Sequence, residues 1–186
     1  LIYAATTYWY AFPGGSVAAD VKGATAVIPT LAEAQAPPPA FPGVIDAEGL
    51  KISAASAGLV HEAQDMEGFG AGVWSGGRQL LGKAVKEGDF VTVEIPVQDG
   101  AAHRLLLAAT QAPDFGVLAF AVNGQDSAVK FDGYAGSVIH AAEVDLGTFT
   151  PVDGKYVVKV QVSGANPASG GARYYFGIDY FKLGAP

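Results

Sequence analysis

Asp179 carries the carboxylate in this sequence that most needs a chemical explanation. It lies between Ile178 and Tyr180, in a segment with the aromatic and aliphatic composition of a buried strand. Moving a carboxylate out of water is unfavourable unless the group is paired, hydrogen-bonded or bound to a cation. The sequence therefore predicts that Asp179 is buried and that backbone donors or a cation satisfy it.

Aromatic side chains form a second candidate group. Trp74 lies in a glycine-rich loop, residues 68–77, whose glycines allow close backbone approach. Aromatic faces can stack on the C–H groups of a sugar ring while neighbouring polar groups bind its hydroxyls. From an aromatic set that also includes Phe69 and Tyr175, we interpret three residues as candidate ligand-binding residues: Trp74, Tyr134 and Tyr174. Packing in the core is the alternative role of Trp74.

The sequence lacks the pattern that nucleophilic or acid–base catalysis requires. Its histidines, His61, His103 and His140, are scattered, and no Ser or Cys nucleophile motif accompanies them. Asp65 and Glu67 could pair as acid and base, but two acids on a loop are usually solvated. We therefore predict no catalytic residues and no enzymatic activity.

Composition excludes several classes of partner. The 186 residues are 50% hydrophobic, enough for the core of one domain, and carry a net charge of −7. This charge repels phosphate backbones and anionic lipid, so we expect no nucleic acid partner and no membrane insertion. The absence of cysteine excludes disulfides and thiolate metal sites.

Apolar and polar residues alternate along two stretches, residues 91–97 and 156–162, with the period of half-buried strands. Turn-forming pairs punctuate such segments at Asp99-Gly100, Asn123-Gly124 and Asp153-Gly154. Many short strands with regular turns and almost no helical periodicity favour an all-β fold, an antiparallel β-sandwich or jelly roll.

The first part of the chain differs from the rest. Residues 1–12 form a β-prone aromatic run that predicts an N-terminal strand, and residues 13–43 form a linker rich in alanine and proline. Residues 44–186 then form the sandwich. An apolar strand left in water is an aggregation hazard, so residues 1–12 must dock on this sandwich or on another subunit. Docking on another subunit predicts a homo-oligomer or polymer, such as a filament, tube or surface lattice.

Several short motifs follow one another in a characteristic order. They are Gln64-Asp65-Met66, Trp74-Ser75-Gly76-Gly77, the stretch 110–116, Asn123-Gly124 and the ending 166–183. In this order they resemble the C-terminal accessory domain of bacterial double jelly-roll glycoside hydrolases, the family that includes difructose-anhydride hydrolases and arabinofuranosidases. The resemblance implies a galactose-binding-like sandwich that lacks the catalytic half.

The resemblance also implies a function and a location. It indicates a non-catalytic, carbohydrate-binding accessory module of a glycan-degrading or cell-surface protein. Its partner would be a glycan or a neighbouring domain, and its location extracellular, at the cell surface or periplasmic. The self-assembling subunit joined by residues 1–12 is the alternative.

The two ends of the sandwich also resemble carbohydrate-binding modules whose opening and closing strands share a structural calcium ion. The opening reads Ile45-Asp46-Ala47-Glu48 and the closing reads Ile178-Asp179-Tyr180. The resemblance implies three metal ligands, Asp46, Glu48 and Asp179. Calcium accepts such oxygen ligands, about six to eight in all.

Overall fold

The alternation of apolar and polar residues produces strands that pair into two antiparallel sheets. The computed structural model describes residues 38–186, and Pro38–Pro186 form a compact unit. The predicted strand of residues 1–12 and most of the predicted linker, residues 13–43, lie outside the described residues. No helix of the described part is long and apolar enough to cross a lipid bilayer.

Twelve strands and three short 3-10 turns make up the described part of the chain. The strands are β1 Ile45–Asp46, β2 Lys51–Ala55, β3 Val60–Asp65, β4 Arg78–Lys83, β5 Phe90–Pro96, β6 His103–Gln111, β7 Gly116–Val122, β8 Gln125–Asp132, β9 Ile139–His140, β10 Val144–Phe149, β11 Lys155–Ala165 and β12 Phe176–Gly184. The turns are Ala47–Gly49, Glu67–Phe69 and Ser75–Gly77.

The strands form two sheets that enclose a common core. The larger sheet has the order β10-β6-β12-β4-β3, with β1 paired to β12 and β9 paired to β6. The smaller sheet has the order β2-β5-β11-β7-β8. All pairings between these strands are antiparallel. The prediction of an all-β antiparallel sandwich is confirmed.

The core contains the inward-facing positions of the two alternating stretches. Val91, Val93 and Ile95 of β5 are fully buried, as are Val158 and Val160 of β11. The larger sheet contributes Leu80, Leu105, Leu107 and Ile178 to the same cluster. One face of each sheet is therefore buried in the core, and the opposite face of the larger sheet points away from it.

Two of the predicted turns have the backbone geometry of tight hairpins. Asn123 and Gly124 have φ of 51° and 79°, and Asp153 and Gly154 have φ of 51° and 71°. Two successive residues with positive φ match the right-handed twist of the flanking strands. These turns connect β7 to β8 and β10 to β11.

The sandwich begins before residue 44. The Phe41 N–H donates to the Ser75 hydroxyl at 2.8 Å. The Phe41 ring also meets the Tyr180 ring edge-on, with centroids 6.2 Å apart. Residues 38–43, which the sequence assigned to the linker, are therefore part of the folded unit.

The core places a steric limit on Gly82. This residue lies opposite Phe176 in the pairing of β4 with β12, and a Cβ at Gly82 would overlap the buried Phe176 ring. We expect Gly82→Ala to lower the free energy of unfolding by about 1 to 3 kcal/mol, since overpacking forces the ring from its position. Urea denaturation measures this loss. Gly100→Ala is the control, because a Cβ there meets open space; equal stability of the two variants would contradict the packing.

Candidate functional site

The outer face of the larger sheet, which faces away from the core, collects the side chains that could do chemistry. Directly paired residues point to the same face of a sheet. One row crosses the sheet through Glu62, Leu81, Gly177, Thr110 and His140. Leu81 packs in a small cluster separate from the main core. The row therefore gives the outer face both polar and apolar character.

Asp179 is fully buried in β12, and donors from the 3-10 turn before β4 and from the short strand β9 satisfy it. The Ser75 N–H donates to Asp179 Oδ1 at 3.1 Å, and His140 Nε2 lies 2.7 Å from Asp179 Oδ2. Because a carboxylate only accepts hydrogen bonds, His140 Nε2 carries the hydrogen. Burial raises the pKa of Asp179, and the hydrogen bonds from His140 and Ser75 oppose that rise. The predicted burial and satisfaction of Asp179 are confirmed; the histidine is a partner that the sequence analysis missed.

The pairing of β1 with β12 brings two more carboxylates to the same place. Asp46 lies opposite Tyr180 and accepts a hydrogen bond from the Ser75 hydroxyl at 2.6 Å. Glu48 follows on the adjoining 3-10 turn. A Cβ built on Gly76 would lie 3.3 Å from Asp46 Oδ2 and 3.7 Å from Glu48 Oε1. We call Asp46, Glu48 and Asp179 the acidic corner.

Glu48 is the least satisfied member of the acidic corner. Its Oε2 is buried and has no hydrogen-bond partner among the described residues. Burial raises the pKa of Glu48, and the charges of Asp46 and Asp179 raise it further. A partnerless carboxylate oxygen beside two other acids is a position that a cation would stabilise.

The acidic corner offers oxygen ligands of the type that calcium prefers, but not equally from its three members. Asp46 and Glu48 converge on the space above Gly76, where the missing side chain leaves room. Asp179 is instead engaged by His140 and Ser75. Among residues 38–186, no group of three or more His, Asp or Glu side chains forms a ready cage for a metal ion. Asp46 and Glu48 therefore fit a cation better than Asp179 does.

The structure gives Trp74 a different role from the predicted sugar contact. Its side chain is only 2% exposed, and its indole N–H donates to Thr110 Oγ1 at 2.8 Å. The ring also meets the His140 ring edge-on, with centroids 5.7 Å apart. A buried ring has no open face for stacking, so Trp74 packs beneath the surface.

The two tyrosines proposed with Trp74 are half-buried. Tyr134 follows β8 and forms an isolated bridge with Ala112, and Tyr174 packs against the main core. Neither lines the cavity described next. Their proposed contact with ligand stays a prediction.

A groove of about 310 Å³ lies on the outer face of the larger sheet, and we call it the outer-face groove. Polar and aromatic side chains from β3, β4 and the loops line it, including Glu62, Gln64, Gln79, Asp114, Phe69 and Tyr175. Phe69 is 51% exposed. Two members of the aromatic set, Phe69 and Tyr175, are therefore the ones that meet an open space.

A chain of hydrogen bonds, buried at Thr110 and half-buried at Gln64, forms the floor of the outer-face groove. Trp74 donates to Thr110, Thr110 donates to Gln79 Oε1, and Gln79 Nε2 donates to Gln64 Oε1 at 2.7 Å. Gln79 lies over Gly177, where a Cβ would overlap its amide. The glycine thus allows Gln79 on β4 to cross β12 and reach Thr110 on β6.

The charges of the groove are mostly acidic. Lys83 Nζ lies 2.8 Å from Glu62 Oε1, and this hydrogen bond raises the pKa of Lys83. The Asp114 carboxylate lines the groove, and within residues 38–186 it takes part in no side-chain hydrogen bond or ion pair. The groove therefore keeps one carboxylate that is unpaired within the described residues.

No family model matches this chain, and no curated protein matches its sequence. The chain is similar in structure to part of a xanthan lyase from Paenibacillus, with a TM-score of 0.65 and 21% identity. The match covers 81% of this chain and 14% of the lyase. At this identity the likeness shows the β-sandwich fold alone, and the chain spans only that small share of the lyase.

Two further solved structures match more loosely. The CBM36-1 domain of a multidomain xylanase, from the hindgut metagenome of Trinervitermes trinervoides, has a TM-score of 0.48 at 14% identity, over 77% of this chain and 96% of that domain. The Podospora anserina GH26-CBM35 β-(1,4)-mannanase has a TM-score of 0.48 at 16% identity, over 77% of this chain and 28% of that protein. The double jelly-roll glycoside hydrolase family is not confirmed by these comparisons.

The pKa of Glu48 predicts a pH effect on stability. A carboxyl group whose pKa is raised by folding stabilises the fold below its unfolded pKa of about 4.3, and that contribution is lost as the pH rises through the folded pKa. In the presence of chelator, Glu48→Gln should therefore be more stable than the parent at pH 7, by about 1 kcal/mol after discounting for solvent screening. The free energies of unfolding of the variant and the parent should converge as the pH falls to the unfolded pKa of Glu48.

Urea denaturation at both pH values, with chelator throughout, measures this difference. Glu87→Gln, on an exposed turn, is the matched control and should leave the pH dependence of the parent unchanged. A Glu48→Gln variant that is less stable than the parent at pH 7 would contradict the conclusion that the charged Glu48 carboxylate destabilises the fold.

Proposed function

We propose that the described sandwich is a non-catalytic module that binds a glycan in the outer-face groove. The observation that carries this proposal is the composition of the groove, where aromatic rings and polar side chains line one open space. Sugars present apolar C–H faces and hydroxyl groups together, so their binding sites combine these same two elements.

Phe69 is the residue best placed to stack on a sugar ring. It ends the 3-10 turn Glu67–Phe69 and exposes half of its surface at the groove. Such exposure of a large aromatic ring is unfavourable in water, and a ligand that covers the ring recovers that free energy. Tyr175 contributes a second ring to the lining.

The acids that could have formed a catalytic pair instead shape the loop that carries Phe69. Asp65 Oδ1 accepts a hydrogen bond from the Glu67 N–H at 2.9 Å. Glu67 Oε1 accepts a weaker one from the Gly72 N–H at 3.5 Å. These bonds hold the loop that carries Phe69, and each acid accepts from a backbone N–H of that loop.

A glycan-binding module of this kind would belong to a larger polysaccharide-degrading or cell-surface protein and act outside the cell. The likeness in fold to a 14% share of a xanthan lyase supports the idea of a domain within a longer protein. Neighbouring domains are then further partners. Residues 1–12, on which self-assembly depends, lie outside the described residues, so oligomerisation stays a prediction.

We also propose that the acidic corner binds a structural calcium ion through Asp46 and Glu48. The buried, partnerless Glu48 Oε2 and the space above Gly76 support this proposal. Asp179 would not bind the ion; it would hold Ser75, which in turn donates to Asp46. When bound, the ion would neutralise the repulsion between the carboxylates and fix the start of the sandwich to its closing strand.

Glycan binding can be tested by affinity electrophoresis in gels that contain xylan, mannan or β-1,3-glucan. We expect at least one of these polymers to retard the full chain. Phe69→Ala should weaken that binding about tenfold, because the stacking surface is lost. Val152→Ala, which truncates a similarly exposed apolar side chain in the loop between β10 and β11, is the control. Equal retardation of the parent and Phe69→Ala would contradict the assignment of the groove.

Calcium binding can be tested by thermal unfolding with calcium and with chelator. Calcium should raise the melting temperature of the parent by about 4 °C or more, since a ligand that binds only the folded state stabilises it. Glu48→Gln should lose most of this shift, whereas Glu143→Gln, which alters a carboxylate outside the acidic corner, should keep it. An unchanged shift in Glu48→Gln would place the ion elsewhere.

A further inference from the structure

We infer that the outer-face groove reads a neutral glycan through one fixed hydrogen-bond donor, the side-chain amide of Gln64, and that buried Trp74 holds this donor in its orientation. The inference rests on the proposed function, because it names how the same groove recognises a sugar. It follows from the direction of the hydrogen bonds beneath the groove.

The indole of Trp74 sets that direction. An indole N–H can only donate, so its bond to Thr110 Oγ1 occupies an acceptor position of the threonine hydroxyl. The single hydrogen of this hydroxyl then points to its other partner, Gln79 Oε1. Of the two ends of the Gln79 amide, the oxygen therefore faces Thr110.

The remaining amides follow in turn. With its oxygen on Thr110, Gln79 directs Nε2 to Gln64, and the atom it meets at 2.7 Å is Gln64 Oε1. Gln64 must then present its own Nε2 elsewhere. Within residues 38–186 this nitrogen has no hydrogen-bond partner, yet it is not sealed from solvent, because the one buried atom without a partner is Glu48 Oε2. Gln64 lines the groove, so the groove receives an N–H donor.

Trp74 is itself fixed from the other side. The next residue, Ser75, is held through its N–H by Asp179 and through its hydroxyl by Asp46. His140, which also contacts Asp179, packs against the Trp74 ring. Gly177 completes the arrangement, because a side chain there would block the path of Gln79 across β12. Trp74 is therefore a positioning residue and does not touch the ligand.

The charges around the groove select against an anionic sugar. Of its three charged lining residues, Glu62 and Lys83 pair with each other and Asp114 has no partner. A carboxyl-bearing sugar would meet the negative charge of Asp114 with no free cation in the lining. A sugar hydroxyl can accept from Gln64 Nε2 and donate to Asp114. The chemistry of the lining thus fits neutral hydroxylated rings.

The test uses affinity electrophoresis of the full chain in neutral polymers (xylan, mannan and β-1,3-glucan) and in anionic ones (polygalacturonate and xanthan). We expect retardation by a neutral polymer and none by the anionic ones. Gln64→Glu keeps the shape of the side chain but replaces the N–H donor with a carboxylate oxygen that can only accept, so binding should weaken at least tenfold. Gln125→Glu, on the smaller sheet, makes the same change away from the groove and should bind as the parent does.

A double-mutant cycle tests the role of Trp74. Trp74→Phe removes the indole N–H, and Thr110→Val removes the hydroxyl that accepts from Trp74 and donates to Gln79. Each substitution alone should weaken glycan binding about threefold to tenfold. Circular dichroism should show that both variants stay folded. In the Gln64→Ala background the same substitutions should have no further effect, because the donor that they orient is gone.

The outcomes separate the two proposals. Failure of all five polymers to retard the chain would overturn the proposed function, and this inference with it. Retardation by a neutral polymer that Gln64→Glu leaves unchanged would overturn this inference alone. Additive effects of Trp74→Phe and Gln64→Ala would likewise show that Trp74 acts on stability and not through Gln64. Preferential binding of the anionic polymers would overturn the assignment of neutral glycans as the ligands.

Discussion

The buried carboxylate of Asp179 is the constraint on which the rest of this structure depends. It lies on β12, between β4 and β6 in the larger sheet, where no water can solvate it. Its charge is tolerated because the Ser75 N–H and His140 reach it. The loop before β4 and the short strand β9 are therefore both tied to the same atom group. Removing one partner of such a buried pair destabilises the fold by more than the intact pair stabilises it, since the other partner is left buried and unpaired.

Two consequences extend from this point in opposite directions. Toward the edge of the sheet, the Ser75 hydroxyl donates to Asp46, whereas Glu48 Oε2 has no partner within the described residues. A cation at this position would stabilise the Glu48 carboxylate. Toward the middle of the sheet, the fixed Ser75 places Trp74 over Thr110 and starts the polar chain that ends at the outer-face groove. Glycines make both possible: Gly76 leaves space beside the acidic corner, and Gly177 leaves space for Gln79. The proposed cation site and the proposed sugar site thus share one anchor.

The sequence predicted the fold and part of the site for physical reasons that can be stated. Strand β5 and the tight turn at Asn123 were readable because period-2 alternation and positive-φ residues are local properties. The burial of Asp179 was readable because its neighbours in the chain are apolar. Its partner His140 was not, since the histidine lies 39 residues away and only the strand pairing brings it near. For Trp74 the sequence left sugar contact and core packing both open, because a loop tryptophan looks the same in sequence whether its ring is open or buried. Gln79 carried no signal, and Gln64 appeared only within a family motif and not as a ligand donor, because a polar residue on an outward strand position is usually only solvated.

We propose the outer face of the larger sheet as the ligand face and the Gln64 side-chain amide as its hydrogen-bond donor. Nuclear magnetic resonance of the full chain tests this assignment most directly, by titration with oligosaccharides cut from the neutral polymer that the chain binds. We expect the side-chain amide signals of Gln64 to shift first, together with the backbone signals of Phe69 and Tyr175. Signals from the opposite sheet, such as those of Lys51 and Lys155, should stay in place. Shifts confined to the smaller sheet, or a Gln64 amide that does not respond at saturation, would contradict this assignment of the ligand face.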